Sequence, residues 1–182
     1  MNYKILIFTV SILMSNYASS DTGTPKDNDF KVPLPGACCL LFTGKTVERE
    51  WYESGNLKST AYFDKGVLDG VVTGYYKNGS IKTKGFYRNG KREGRAVFYY
   101  PNGGKQAEQY FSDDILNGDH KVWYDTGGLM KLVPYSRGLV NGTVKTYYET
   151  GEIFEKIEFE YGTPKTLITY MKDGSIAKQD EN

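Results

Sequence analysis

One histidine, His120, stands in this sequence, and its only two cysteines are neighbours, Cys38 and Cys39. A lone histidine has no partner ligands at metal spacing, and no serine or cysteine is tied to it by a motif. The sequence therefore predicts no catalytic residue, no metal and no cofactor. Adjacent cysteines pair only in a small strained ring, so Cys38 and Cys39 read as a packed thiol pair or a strained vicinal disulfide. Gly36-Ala37-Cys38 has the small residues of a lipidation site. The nearest apolar run ends far upstream, however, and Pro35 stands where an aliphatic residue is required. Neither basic nor acidic residues are in excess: 23 Lys and Arg stand against 22 Asp and Glu, for a formal net charge of +1. That balance excludes a nucleic-acid binder, which needs a basic excess, and a strongly basic membrane-surface module. Long apolar runs are confined to Ile5–Met14, too short to span a bilayer, so no integral membrane span is expected.

That apolar run follows Lys4 and precedes Ala18-Ser19-Ser20, the pattern of a secretory signal cleaved after Ser20. Residues 1–20 are thus expected to be a signal peptide, and the mature chain is expected to be exported, to the periplasm or beyond. Residues 21–40 are polar, contain Pro25, Pro33 and Pro35, and read as a linker or N-terminal arm carrying Cys38-Cys39. The remainder, 41–182, is the folded domain.

What the domain has in abundance is tyrosine and glycine, 16 and 21 residues in the whole chain, and they recur on a fixed period. Gly55, Gly79, Gly103, Gly127 and Gly151 are each 24 residues apart, as are Gly70, Gly94, Gly118 and Gly142. A third series, Gly66, Gly90, Gly138 and Gly162, has Asp114 in its missing slot. Aromatic pairs keep step: Trp51-Tyr52, Tyr75-Tyr76, Tyr99-Tyr100, Trp123-Tyr124 and Tyr147-Tyr148. Each unit reads as a β-hairpin, with Asn78-Gly79 and Asn102-Gly103 supplying turns that tolerate positive φ. No helical period occurs after the signal. The expected fold is all-β: an elongated, twisted antiparallel sheet of five to six successive hairpins.

The unit running from Gly70 to Lys82 resembles the MORN repeat, most closely the bacterial variant found in exported antitoxin or immunity proteins. Phe42-Thr43-Gly44-Lys45 is similar to the opening of many exported members. The resemblance covers about Leu41 to Lys178. Its final unit departs from the pattern: Thr163-Pro164-Lys165 replaces the usual turn, which suggests a C-terminal cap after about 163.

Strand alternation sorts the columns onto two faces. Val72, Ala96 and Val144 share a side with Tyr52, Tyr76, Tyr100, Tyr124 and Tyr148. The columns Leu57/Ile81/Leu129/Ile153 and Phe63/Tyr87/Phe111/Tyr135/Phe159 are expected with them, as a packed face. The opposite face carries one aromatic per unit, Trp51, Tyr75, Tyr99, Trp123, Tyr147 and Tyr170, among Arg95, Asp119, Lys121 and Lys145. A second column, Tyr62, Phe86 and Tyr110, shares that face and lapses to Pro134 and Glu158, so the surface is strongest in the first three units. These rings either anchor a partner or shield the sheet by cross-strand packing. His120 interrupts the Val72/Ala96/Val144 column, and Asp113-Asp114 interrupts a glycine column beside it.

The resemblance implies a non-catalytic exported binding protein, an immunity protein that neutralises one cognate toxin, itself a secreted hydrolase, in the periplasm. The alternative is a cell-envelope scaffold whose repeat face touches lipid or glycan. One tight protein partner distinguishes the first; several weak associations distinguish the second.

Overall fold

A computed structural model describes residues 44–181. The expected signal segment 1–20 and the arm 21–40, with Cys38 and Cys39, lie outside the described residues, as do residues 41–43. Among the described residues every element is a strand: β1 (Lys45–Trp51), β2 (Leu57–Asp64), β3 (Val67–Tyr75), β4 (Ile81–Arg88), β5 (Lys91–Arg92), β6 (Gly94–Tyr99), β7 (Lys105–Ser112), β8 (Ile115–Leu116), β9 (Gly118–Trp123), β10 (Leu129–Ser136), β11 (Leu139–Val140), β12 (Gly142–Tyr147), β13 (Ile153–Glu160), β14 (Thr163–Tyr170) and β15 (Ile176–Glu181). All lie in one open antiparallel sheet, and each main strand pairs with its neighbours in sequence, with no crossover. This is the hairpin array that the 24-residue period predicts. Asn-Gly and related dipeptides turn the chain locally, so pairing partners are close in sequence and cheap to bring together.

The turns alternate between two rims. On the first rim, Tyr76 N–H donates to the Ser80 carbonyl and Gly79 N–H donates back to the Tyr76 carbonyl, each over 2.8–2.9 Å. Tyr52, Tyr100, Tyr124, Tyr148 and Met171 repeat the arrangement. On the second rim both turn positions take positive φ, as at Asn89 (50°) and Gly90 (81°), the geometry whose twist matches the flanking strands. The last such turn is Tyr161-Gly162, so Thr163-Pro164-Lys165 already lies in β14 rather than in a turn.

The units are bolted together along both rims. The hydroxyl of the second aromatic of each pair donates to the carbonyl of the first aromatic of the next: Tyr52 to Tyr75, Tyr76 to Tyr99, Tyr100 to Trp123, Tyr124 to Tyr147 and Tyr148 to Tyr170, over 2.6–3.1 Å. On the other rim, side chains one column along do the equivalent work. Asp69, Glu93, Asn117 and Asn141 accept the first turn N–H of the following unit, from Asn89, Asp113, Arg137 and Tyr161. Each such bond contributes about 1 kcal/mol net, and the series ties every unit to its successor.

The core is thin. Val97, Phe111, Val133 and Val144 are the buried apolar residues, joined by Thr73 and Glu108, and no side chain among those described is completely enclosed. Among the described residues burial comes from neighbours within the sheet and not from a second layer. Val133 and Val144 face each other across β10 and β12, in a row of small and aliphatic side chains with Ala61, Val72, Gly85 and Ala96. Large rings flank that row on the same side, Phe111 among them.

Candidate partner-binding face

Cross-strand partners share a face, so the register assigns each side chain without ambiguity except at bulges. One face holds the Ala61–Val144 row. The other holds Trp51, Tyr75, Tyr99, Trp123 and Tyr147, each at the end of an outgoing strand, and Tyr62, Phe86 and Tyr110 on the return strands. All eight sequence-predicted binding residues therefore lie on one side of the sheet. Trp51, Tyr62 and Phe86 are 58, 48 and 36% exposed, and the other five are half-buried. With strands ~4.8 Å apart, successive rings of the stripe stand about 10 Å from one another.

One column departs from simple alternation. At the start of every main return strand the register slips by one residue, so that Trp51 pairs with Leu57, Tyr75 with Ile81, Tyr99 with Lys105, Trp123 with Leu129 and Tyr147 with Ile153. The Leu57/Ile81/Leu129/Ile153 column, expected on the packed face, thus sits beside the aromatic stripe. The bulge is the cause, because the extra residue reverses the parity of everything before it. Lys105 shows the consequence directly: its ammonium lies 5.3 Å from the Trp123 ring centre and 3.3 Å from Glu108. The bulge residues themselves turn the other way, Lys82 towards the Tyr76 ring at 5.7 Å and Phe154 edge-on to Tyr148 at 5.2 Å.

At the middle of the stripe face Glu108 is only 6% exposed. Its carboxylate accepts from the Arg95 guanidinium, from the Tyr110 hydroxyl at 3.1 Å and from Lys105. The Arg95 hydrogen bond, helped by those from Tyr110 and Lys105, outweighs burial and holds the Glu108 carboxyl down at about 2. The cluster fixes Arg95, Lys105 and Tyr110 in place beside Trp123, so this part of the face is pre-shaped rather than loose. One strand away, Val71, Lys84, Phe86, Arg95, Val97 and Tyr99 frame a shallow basin with an apolar floor and a basic rim.

The altered positions of the third unit resolve as packing and turn chemistry. His120 lies in the Ala61–Val144 row, between Gln109 and Val133 on the neighbouring strands, with its Nε2 3.4 Å from Gln109 Nε2 and its ring 6.3 Å from Tyr135. Burial, with the nearby Lys131 charge, pushes its pKa below the usual histidine value, so it packs as a neutral ring. Asp114 occupies a glycine slot at φ 70°. It tolerates the left-handed backbone by using its carboxylate, which accepts from both Arg92 N–H (3.0 Å) and Arg92 Nε (2.9 Å).

Among the described residues, no group of three or more His, Cys, Asp or Glu side chains is placed to hold a metal ion, and no helix is long and apolar enough to cross a membrane.

A one-layer sheet of repeating hairpins, with rings and fixed charges on an open face, defines a repeat-based binding module. Residues 46–65, 68–89, 92–113 and 140–161 each match the MORN repeat variant, so the chain carries MORN repeats, which occur generally in non-catalytic binding modules. No curated protein matches the chain significantly. The unmatched interval between residues 113 and 140 keeps the same hairpin, tyrosine bond and turn as its neighbours. Sequence inspection missed the Asp69/Glu93/Asn117/Asn141 column as a structural device. Its signal was present, since all four residues carry a side-chain oxygen at the 24-residue spacing.

Proposed function

We propose that this protein is an exported immunity protein, which binds one secreted antibacterial toxin in the periplasm and neutralises it by covering its active site or an essential surface. The observation that carries the reading is the aromatic stripe: eight rings on one open face, three of them well exposed, interleaved with charges held in fixed positions. Aromatic and arginine side chains dominate tight protein interfaces because they bury large areas at low entropic cost. The signal-like pattern at residues 1–20 supports export, and the MORN variant supports a binding rather than a catalytic role.

The test is capture with the full-length chain, tagged at its C-terminus and recovered from the envelope fraction of its own cells. We expect one stoichiometric protein with hydrolase activity that the chain inhibits. The triple variant Trp51→Ala, Tyr75→Ala, Tyr99→Ala is expected to weaken that binding by about 100-fold or more, with its β-type circular dichroism retained. Several substoichiometric envelope components, with no inhibited enzyme among them, would replace this reading with the scaffold one.

A further inference from the structure

The register that gathers the rings also gathers charge. Followed from strand to strand, the central row of the stripe face carries Arg49, Lys84, Lys121, Lys145 and Lys156 against one acid, Glu108. Glu108 is already satisfied by Arg95 and Lys105, which add two more cations to the same side. Among the described residues Arg49, Lys84, Lys145 and Lys156 have no carboxylate within ion-pair distance, and Lys121 has only Asp119 at 3.8 Å. Lys145 and Lys156 are directly opposite one another on β12 and β13. Like charges in that position destabilise a sheet. Asp119 and Glu158 share this face, in the flanking row beside Lys121 and Lys156, but neither comes within ion-pair distance of Lys84, Lys145 or Lys156, so the row stays mostly uncompensated.

We propose that this row docks an acidic protein surface, whose carboxylates settle between Lys145 and Lys156 and against Lys84, while apolar side chains of the partner enter the basin floored by Val97 and framed by Phe86 and Tyr99. The inference rests on the reading of the stripe face as the surface for one protein partner, and it specifies that partner's chemistry. Charge placement argues for a compact acidic protein over a membrane or a nucleic acid. The rims flanking the row bear Glu53, Asp125 and Glu149 on one side and Asp69, Glu93 and Asp113 on the other, interspersed with cations. A flat anionic bilayer or a duplex crossing both rims meets those acids. A protein surface narrow enough to sit between them does not. Steering of an acidic partner by the uncompensated row speeds encounter and fixes orientation.

Both tryptophans of the chain, Trp51 and Trp123, lie on this face, so occupancy can be read from their emission. The probe is a labelled peptide of alternating glutamate and tyrosine, added to the full chain at low ionic strength and followed by anisotropy and tryptophan fluorescence. We expect saturable binding with a change in emission, weakened about tenfold or more in K84E/K145E/K156E. A control with the same net charge, K77E/K131E/K178E, changes cations in a turn and on the other face, and is expected to stay within about threefold of wild type. If the first variant loses its β-type circular dichroism, the glutamine version at the same three positions replaces it. Equal loss in both variants overturns the proposal, because binding then follows net charge alone. So does a peptide that fails to bind, or tighter binding to phosphatidylserine vesicles or to a duplex DNA oligomer. If envelope capture yields no single partner, the immunity reading fails and the peptide result still stands. If a captured toxin ignores K84E/K145E/K156E, only the present inference fails.

Discussion

The two faces of the sheet are built from the same strands and by the same turns, yet they have opposite characters. On one, the central row runs through Ala61, Val72, Gly85, Ala96, Gln109, His120, Val133 and Val144, mostly small or aliphatic, with rings on its flank and the deepest burial at Val144, 4% exposed. On the other, the equivalent row sets Arg49, Lys84, Lys121, Lys145 and Lys156 among Thr73, Val97, Glu108 and Leu132, and three of its eight flanking rings are exposed. A one-layer sheet has no interior in the usual sense, so its stability comes from side chains packing across strands on both sides, Val133 and Val144 on one, Thr73, Val97 and Glu108 on the other. The stripe face adds to that packing a set of charges and exposed rings. Both faces hold the sheet together, and what differs is that one accumulates charge and open rings while the other stays nearly uncharged along its central row.

The largest effect should come from charging the quiet face. Val144→Asp places an unpaired carboxylate at a buried position and is expected to cost about 3 kcal/mol or more in urea unfolding. Thr143→Lys, one residue away on the other face and opposite Glu158, should change stability by about 0.5 kcal/mol or less. Comparable losses from the two would erase the distinction between the faces.

A smaller effect tests whether the charged face is also part of the fold. Glu108→Gln removes the carboxylate that organises Arg95, Lys105 and Tyr110 and is expected to cost about 1–3 kcal/mol at neutral pH. The pH dependence carries a definite sign. In the folded chain the Glu108 carboxyl titrates at about 2, below its ordinary value, so its contribution is complete above the unfolded glutamate pKa and is lost as pH falls towards 2. Wild type should therefore lose stability over that acid range more steeply than the variant. Parallel acid curves would show that the cluster decorates the sheet without supporting it.

The smallest effect lies on the rim that both faces share. Tyr100→Phe deletes one hydroxyl bond to the Trp123 carbonyl and should cost about 1 kcal/mol. Peptide binding at the stripe should be unaltered. A larger loss, or altered binding, would mean that the rim bonds set the positions of the rings as well as holding the units together.

Much of this was legible in the residues. The 24-residue period, the Asn-Gly turns and the aromatic pairs fix an all-β hairpin array, because turn chemistry and strand alternation act over a few residues and leave their mark on local spacing. The same alternation is enough to put Trp51, Tyr75, Tyr99, Trp123 and Tyr147 on one face with Tyr62, Phe86 and Tyr110. It fails for Leu57, Ile81, Leu129 and Ile153, since a bulge inserts one residue that no composition or period reveals. Asp114 in a glycine slot and His120 in a valine column look like marks of a site. Their surroundings show a carboxylate supporting a strained turn and a neutral ring within the packed row.

The sequence by itself thus determined the repeat, its turns and the membership of the aromatic stripe, all of which depend on neighbours along the chain. The tertiary structure alone decided which side chains meet across strands: the hydroxyl bonds from unit to unit, the Glu108 cluster, and the row that sets Lys145 against Lys156. The reason is physical. Cross-strand register is set by where bulges fall and how each turn closes, and a shift of one residue moves a side chain to the opposite face.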